Sequence, residues 1–509
     1  MRTKNTKIIK NQELGRKIEL LRGQGKSVAL CHGVFDLVHP GHIRHLSAAS
    51  KESDILFVSV TSDQFVNKGP GRPVYNSTLR AETLAALECV DYVTISDRPT
   101  AIDIITIIKP DVYVKGADYI SIRDDVTGMI QEEINAVEAS GGRVTFTDEM
   151  SMSSSELINT YFDVFRPETQ NWLKNLRNRW SSDDIIQKIY KIRDLKILVI
   201  GEAIIDDYFF CEGLGKSSKD PILAFRYLSD ESHAGGSLAV ANHVAGLCGK
   251  VGLISLLGET DSRVQFIKES LNSKIDFMPV RQTGAPTIHK RRFIDTHSGS
   301  KVFELYLMED APIDAVTAEK LVSTTKKVID DFDVIIVTDY GHGMMTPSLI
   351  DLVENSGKFL AVNTQSNAGN RGLNTISKYK KADYVCLNGS ELQLELKTRA
   401  EDFRVLVQNL DTKLDCKKYT VTLGREGTLH YDAKDGFTEI PALAQNVIDR
   451  VGAGDAVLSA TAPLVSIETD WTIVGLIANL VGAEIVADMG NRNTLESANL
   501  IKHIMSILR

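Results

Sequence analysis

Two apolar runs, each ending at a glycine, set the pattern of the chain: Val28-Ala29-Leu30-Cys31-His32-Gly33 and Lys196-Ile197-Leu198-Val199-Ile200-Gly201. A run of this length feeding a glycine turn predicts the first, buried strand of a parallel sheet. Strand-like runs then alternate with helical patterns, at residues 55–60, 92–95 and 112–114 after the first start and at 334–337, 359–362, 384–387 and 419–422 after the second. That alternation predicts βαβ units, and so an α/β protein of two doubly wound domains. Between them Phe165-Arg166-Pro167-Glu168-Thr169 breaks the pattern, and residues 170–195 carry apolar positions at helical spacing among many charges. The expected division is a first domain at 1–162, a helical connector at 163–195 and a second domain at 196–509.

Composition narrows the classes. A chain of 509 residues is too long for one ordinary core, and 43% hydrophobic with 25% charged residues excludes a disordered chain, a collagen-like repeat and a coiled-coil rod. Lysine and arginine against aspartate and glutamate give 58 − 67 = −9, a poor balance for a nucleic-acid partner. No stretch approaches the roughly 18–20 apolar residues of a bilayer crossing, so no membrane partner is expected. The basic N-terminus lacks the apolar core of a secretory signal, and six scattered cysteines without a Cys-x-x-Cys pair read as reduced thiols. Both features point to the cytoplasm.

The first candidate site follows the first strand directly, in Gly33-Val34-Phe35-Asp36-Leu37-Val38-His39-Pro40-Gly41-His42. Pro40-Gly41 opens a helix whose free N–H groups and dipole favour phosphate, with His39 and His42 beside them. Imidazoles there can donate to a phosphate and stabilise charge growing on it during displacement, and Gly41 lets the backbone come close. An isolated His-x-Gly-His is as readily an ordinary strand–turn–helix. Joined to the preceding Gly-x-Phe-Asp, the stretch resembles the GxFDxxHxGH signature of the cytidylyltransferase-like nucleotidyltransferases. The resemblance continues through Thr61-Ser62-Asp63, Lys68-Gly69-Pro70-Gly71-Arg72-Pro73-Val74, Arg80, Asp91-Tyr92-Val93, Lys115-Gly116-Ala117-Asp118-Tyr119 and Ser153-Ser154-Ser155. Over about residues 25–160 it looks like the adenylyltransferase half of the bifunctional heptose kinase/adenylyltransferases.

That resemblance implies attack of a sugar-1-phosphate oxygen on the α-phosphate of a nucleoside triphosphate, with pyrophosphate leaving and Mg²⁺ as the usual companion. ATP is the implied donor, with CTP as the alternative. His39 and His42 would stabilise the α- and β-phosphates, Lys68 or Arg72 together with Lys115 would neutralise leaving or incoming phosphates, and Gly33, Phe35, Asp36 and Gly41 would border the nucleotide. Ser153, Ser154 and Ser155 would cap a helix start against the triphosphate. The three cations also read as solvated turn residues.

In the second half the strongest feature is Asp449-Arg450-Val451-Gly452-Ala453-Gly454-Asp455 running into an apolar helix. Successive backbone N–H groups of Gly452, Ala453 and Gly454 form an anion-binding nest at a helix start. Asp455 beside it can accept a proton from a sugar hydroxyl attacking a γ-phosphate. By itself Gly-x-Gly-Asp is more often a capped turn. Here it resembles the GAGD signature of the ribokinase-like (PfkB) sugar kinases, whose other pieces follow in family order. These are Gly201-Glu202-Ala203-Ile204-Ile205-Asp206, Gly235-Gly236 with Asn242, Pro286-Thr287 through Lys290-Arg291-Arg292, Asn388-Gly389-Ser390-Glu391 and Val421-Thr422-Leu423-Gly424. The resemblance implies a small β lid and ATP. Asp206, Gly235, Gly236, Asn242, Lys290 and Arg292 would face the sugar, Asn388 and Gly424 the nucleotide, and Glu391 the Mg²⁺. It also implies a homodimer, since such lids often pair.

The chain departs from the heptose kinases where chemistry is expected. Val451 replaces the hydroxyl residue before GAGD, His342 stands for a lysine, Asn363-Thr364-Gln365 stand where aspartate and lysine are usual, and Pro463 should kink or shorten the following helix. In those enzymes the kinase half comes first. The expectation is a bifunctional sugar kinase and sugar-1-phosphate nucleotidyltransferase making an NDP-sugar, of the NDP-heptose kind, for surface polysaccharide. A monofunctional transferase with a kinase-fold module for sugar binding or oligomerisation is the alternative. A synthetase-like role on tRNA has no lysine-rich second signature to support it.

Overall fold

The computed structural model describes residues 7–116, 129–147, 165–309, 311–400 and 402–508. They form two compact units, residues 1–167 with 501–509 and residues 168–500. The helices Pro167–Arg179 and Ser182–Ile192, in the stretch expected as a connector, bury Leu173, Leu176, Ile185, Ile189 and Ile192.

In the first unit β1 (Val28–Gly33), β2 (Ile55–Thr61), β3 (Tyr92–Ser96), β4 (Val112–Gly116) and β5 (Arg143–Thr147) make one parallel sheet in the order β3-β2-β1-β4-β5. Successive residues of β1 point to opposite faces. Ala29 and Cys31 join one core with Leu46, Val58 and Leu84, and Val28 and Leu30 join the other with Phe57, Ile105 and Tyr113. Burial on both faces explains why the run reads as continuously apolar. The strand order reverses at β1, so the ends of β1 and β4 flank the crevice where open α/β sheets take ligands.

In the second unit β6 (Lys196–Gly201) leads into β7 (Ala203–Lys216) and β8 (Leu223–Gly236). Then come β9 (Lys250–Gly258), β10 (Ile275–Gln282), β11 (Ile288–Asp295), β12 (Ser300–Leu307), β13 (Val334–Asp339), β14 (Phe359–Thr364), β15 (Tyr384–Asn388), β16 (Lys418–Thr422), β17 (Thr428–Asp432) and β18 (Gly436–Ile440). Nine of them order as β10-β9-β6-β13-β14-β15-β16-β17-β18, parallel from β10 to β16 and antiparallel beyond. The other four form a small sheet, β12-β11-β7-β8.

The helix Ala453–Ser466 runs three residues past Pro463, which therefore does not cut it short. Pro463 lies in the last turn, where its missing N–H forfeits one bond, to the Ser459 carbonyl, and little helix follows it to be kinked; the residues from Asp455 to Val465 are buried.

Candidate active sites

In the first unit the helix Pro40–Ala49 begins at the C-terminal mouth of β1. His39 is its N-cap, with Nδ1 accepting from Gly41 N–H at 3.1 Å. The neutral ring therefore carries its proton on Nε2 and can donate to a phosphate as it stands. His42 differs. Its Nδ1 lies 3.2 Å from Leu37 C=O, which can only accept, so the proton sits on Nδ1 and Nε2 keeps a lone pair. The rings stack with centroids 4.0 Å apart. Burial, then His39 and Lys68, push His42 down to about 3, and burial followed by Lys68 lowers His39. A bound polyphosphate would counter both cationic effects, so His42 becomes a donor only when it takes a proton against substrate charge.

Other predicted residues of this unit build the cradle. Phe35 is buried, holds φ at 49°, and packs edge-on against His42 at 5.3 Å. It therefore orients an imidazole and presents little surface to a nucleotide. Asp36 is also buried. Its Oδ1 accepts from Val74 N at 2.7 Å and Tyr75 N at 3.2 Å, and Oδ2 lies 3.5 Å from Arg72, so its carboxylate anchors the loop that bears Lys68 and Arg72. Lys115, at the end of β4, lies 2.7 Å from Glu133 Oε2, which makes it a buried ion pair. Gly33 ends β1, and Gly41 is buried in the first turn of the helix. Ser153 and Ser154, with Ala117, Asp118 and Tyr119, lie outside the described residues.

Arg80, for which the sequence suggests no role, ties this cradle together. Its guanidinium donates to Tyr75 O at 2.8 Å, Thr61 O at 2.8 Å, Val34 O and Asp63 Oδ1. It thus joins the turn after β1, the end of β2 and the anchored loop.

In the second unit one cavity of about 990 Å³ collects most of the predicted residues. Asp206, Gly236, Lys290, Arg292, Asn388, Glu391, Gly424, Gly452, Ala453, Gly454 and Asp455 all line it. Gly452, at φ 81°, caps the helix, and a Cβ there would meet Asn491 Oδ1 at 1.9 Å. Asn491, which no sequence feature singles out, donates from Nδ2 to Asp206 Oδ2 at 3.0 Å. Arg292 Nη1 holds Asp206 Oδ1 at 2.5 Å and its Nε reaches Glu304 at 3.1 Å. Gly235 stands outside the lining, but a Cβ on it would fall 2.2 Å from Asp206 Oδ2, so its bareness makes room for that carboxylate.

Asp455 is buried, and that burial lifts its carboxyl to about 7, with Tyr340 and Lys290 pulling down and Asp206 pushing up. Burial lowers the Lys290 ammonium, which lies 5.5 Å from the Tyr306 ring and 5.9 Å from that of Tyr340. Asn388 and Glu391 form a capping box, Asn388 Oδ1 accepting from Glu391 N at 2.9 Å and Glu391 Oε2 from Asn388 N at 2.8 Å. Glu391 Oε1 accepts from Ser366 N at 3.3 Å, and burial raises this carboxyl to about 7.

Asn242 is not brought to the cavity. Its amide spans Ser270 O at 2.9 Å and Asn272 N at 2.8 Å, which ties its helix to the turn before β10. Val451 and Gln365 do line the cavity. His342 does not, and its backbone N donates to Glu202 at 3.0 Å.

Comparisons with known proteins cover both units. The family model described as pfkB family carbohydrate kinase matches residues 194–498, and that described as Cytidylyltransferase-like matches residues 30–187. "Bifunctional protein HldE" of Syntrophotalea carbinolica is 36% identical over 164 residues, 32% of either chain. "Bifunctional protein HldE" of Bradyrhizobium diazoefficiens is 46% identical over 129 residues, a quarter (25%) of either chain. The chain thus spans about a third or less of the curated relatives it matches. Among solved structures, a mutant of the phosphofructokinase-2 from Escherichia coli aligns with TM-score 0.51 at 15% identity, over 62% of this chain and 100% of the other, a likeness of fold. With more than half its length matched, the chain belongs to the pfkB family of carbohydrate kinases, and it carries a cytidylyltransferase-like domain ahead of the kinase fold.

Proposed function

We propose that the chain is a bifunctional enzyme that phosphorylates a sugar with ATP and, in its other domain, converts a sugar 1-phosphate to an NDP-sugar. The observation that carries the kinase half is the placement of Asp455. It stands at the head of a glycine-opened helix, in one cavity with Asp206, Lys290 and Arg292. The anomeric hydroxyl gives its proton to Asp455 while its oxygen bonds to the γ-phosphorus and ADP leaves. The N–H groups of Gly452, Ala453 and Gly454 face the charge gathering on the phosphoryl oxygens. In the transferase half, a sugar-phosphate oxygen displaces pyrophosphate from the α-phosphorus, with His39 and His42 donating to the phosphates.

Among the described residues no group of three or more His, Cys, Asp or Glu could hold a metal by itself. Mg²⁺ bound largely by phosphate oxygens and water suits that arrangement, with Glu391 contributing from lone pairs its two backbone donors leave open. When bound, the ion would neutralise polyphosphate charge.

Likeness to the HldE proteins supports a heptose as the sugar, and so an NDP-heptose as the product; its use in surface polysaccharide, and a domain order reversed from the heptose enzymes, belong to the same reading. ATP is the favoured nucleotidyl donor, and CTP is the competitor. Exposed Leu214, Leu223, Tyr227, Phe303 and Leu305 on the small sheet, with Ile222 in its β7–β8 turn, support a homodimer, which light scattering giving a monomer mass would rule out. No described helix is long and apolar enough to cross a membrane. The test is mass spectrometry of products from ATP or CTP with heptose, heptose phosphates and sugar 1-phosphates. A phosphorylated sugar and an NDP-sugar are expected. An NDP-sugar with no newly phosphorylated sugar would favour the monofunctional alternative.

A further inference from the structure

We propose that Tyr340 is a positioning residue of the phosphoryl-transfer site, its hydroxyl fixing Asp455 through Oδ1 so that Oδ2 is presented to the sugar hydroxyl. The inference rests on the reading of Asp455 as the base. Tyr340 Oη lies 2.8 Å from Asp455 Oδ1, and both side chains are buried. Burial and the neighbouring Asp455 raise the phenol well above its ordinary value, so it stays protonated and is the donor of the pair. Among the described residues Oδ2 receives no hydrogen bond.

The aim of the hydroxyl is set from the backbone. Tyr340 N donates to Glu202 Oε2 at 3.1 Å, and Glu202 Oε1 accepts from His342 N at 3.0 Å. On the other side Tyr340 C=O accepts from Asn367 Nδ2 at 2.9 Å and Asn370 Nδ2 at 2.7 Å. Glu202, at the β6–β7 junction, and the loop after β14 therefore grip the peptide groups flanking Tyr340. The ring is held between them, under Lys290.

The groups facing Asp455 come from several elements. They are Asp206 on β7, Lys290 on β11, Cys386 on β15 and Glu391 on the helix Gly389–Glu395, while exposed Arg450 lines the same cavity before the glycine turn. Its own helix, Ala453–Ser466, carries no other charged residue. Of these neighbours Tyr340 alone is hydrogen-bonded to the carboxyl among the described residues. Donation to the charged form favours it, so removing the hydroxyl must raise the pH at which Asp455 takes up its proton.

The test is Tyr340→Phe in the full chain, a change that keeps the ring and its packing. The acid limb of kcat/KM for ADP release is expected to move to higher pH by about one pH unit, the scale of one lost hydrogen bond to a charge. Below the limb kcat falls about tenfold while KM for the sugar stays near wild type. Isotope-edited infrared titration of the Asp455 carboxyl, without turnover, should show the same displacement. That second readout separates the two claims, because a chain inactive as a kinase overturns the proposed function while the infrared shift still tests Tyr340. Superimposable titrations of wild type and variant, or a rise in KM alone, would overturn the positioning role.

Discussion

Asp455 lies where two demands meet: an ionised carboxylate is needed to take a proton, and burial resists ionisation. Held at about 7, it is half protonated near neutrality, and only the deprotonated form is a base. Kinase kcat/KM should therefore rise with pH through an acid limb near 7, and a flat profile from pH 5 to 8 would remove Asp455 from that role. His39 has two functions that one substitution separates. Asparagine is among the best N-caps, so His39→Asn should leave the stability read from thermal denaturation within about 0.5 kcal/mol of wild type. It removes the Nε2 donor, and pyrophosphate release should fall about 10²–10³-fold; unchanged pyrophosphate release would show that the ring does no more than cap. These residues were legible because motif chemistry fixes their type and place. Asn491 was not, since it reaches Asp206 from a distant loop with no local pattern. Nor was the inward turn of Phe35 and Asp36, which depends on what packs around the anchored loop.

Among elements, those buried on both faces were readable and those with mixed exposure were not. The runs at 334–337 and 359–362 became β13 and β14 because parallel strands between helices are apolar throughout. β8 carries charges along half-exposed backbone, β12 is mostly exposed, and neither has a continuous apolar signal. The small sheet was suggested only by resemblance. The turn at Gly452 is where element geometry and chemistry depend on one atom. Gly452→Ala places a methyl against Asn491 at a φ of 81°, which should cost about 1–2 kcal/mol and push Asn491 off Asp206. Thermal denaturation and the KM for the sugar are the measurements. An unchanged KM would mean that Asn491 does not hold Asp206 for substrate.

At the scale of the molecule, a parallel sheet in one unit and a mostly parallel sheet in the other each reverse strand order beside a glycine-bearing helix start, and each start carries its own acid–base or donor group. The two chemistries share no residue, so a change at one site should leave the other intact. The direct measurement is release of ADP and of pyrophosphate by the full chain, supplied with sugar and with sugar 1-phosphate alongside the nucleotide. Asp455→Asn should lower ADP release by about 10²–10⁴-fold and spare pyrophosphate release. His39→Asn should do the reverse. Wild-type rates in either variant, or loss of both activities from one substitution, would contradict the account.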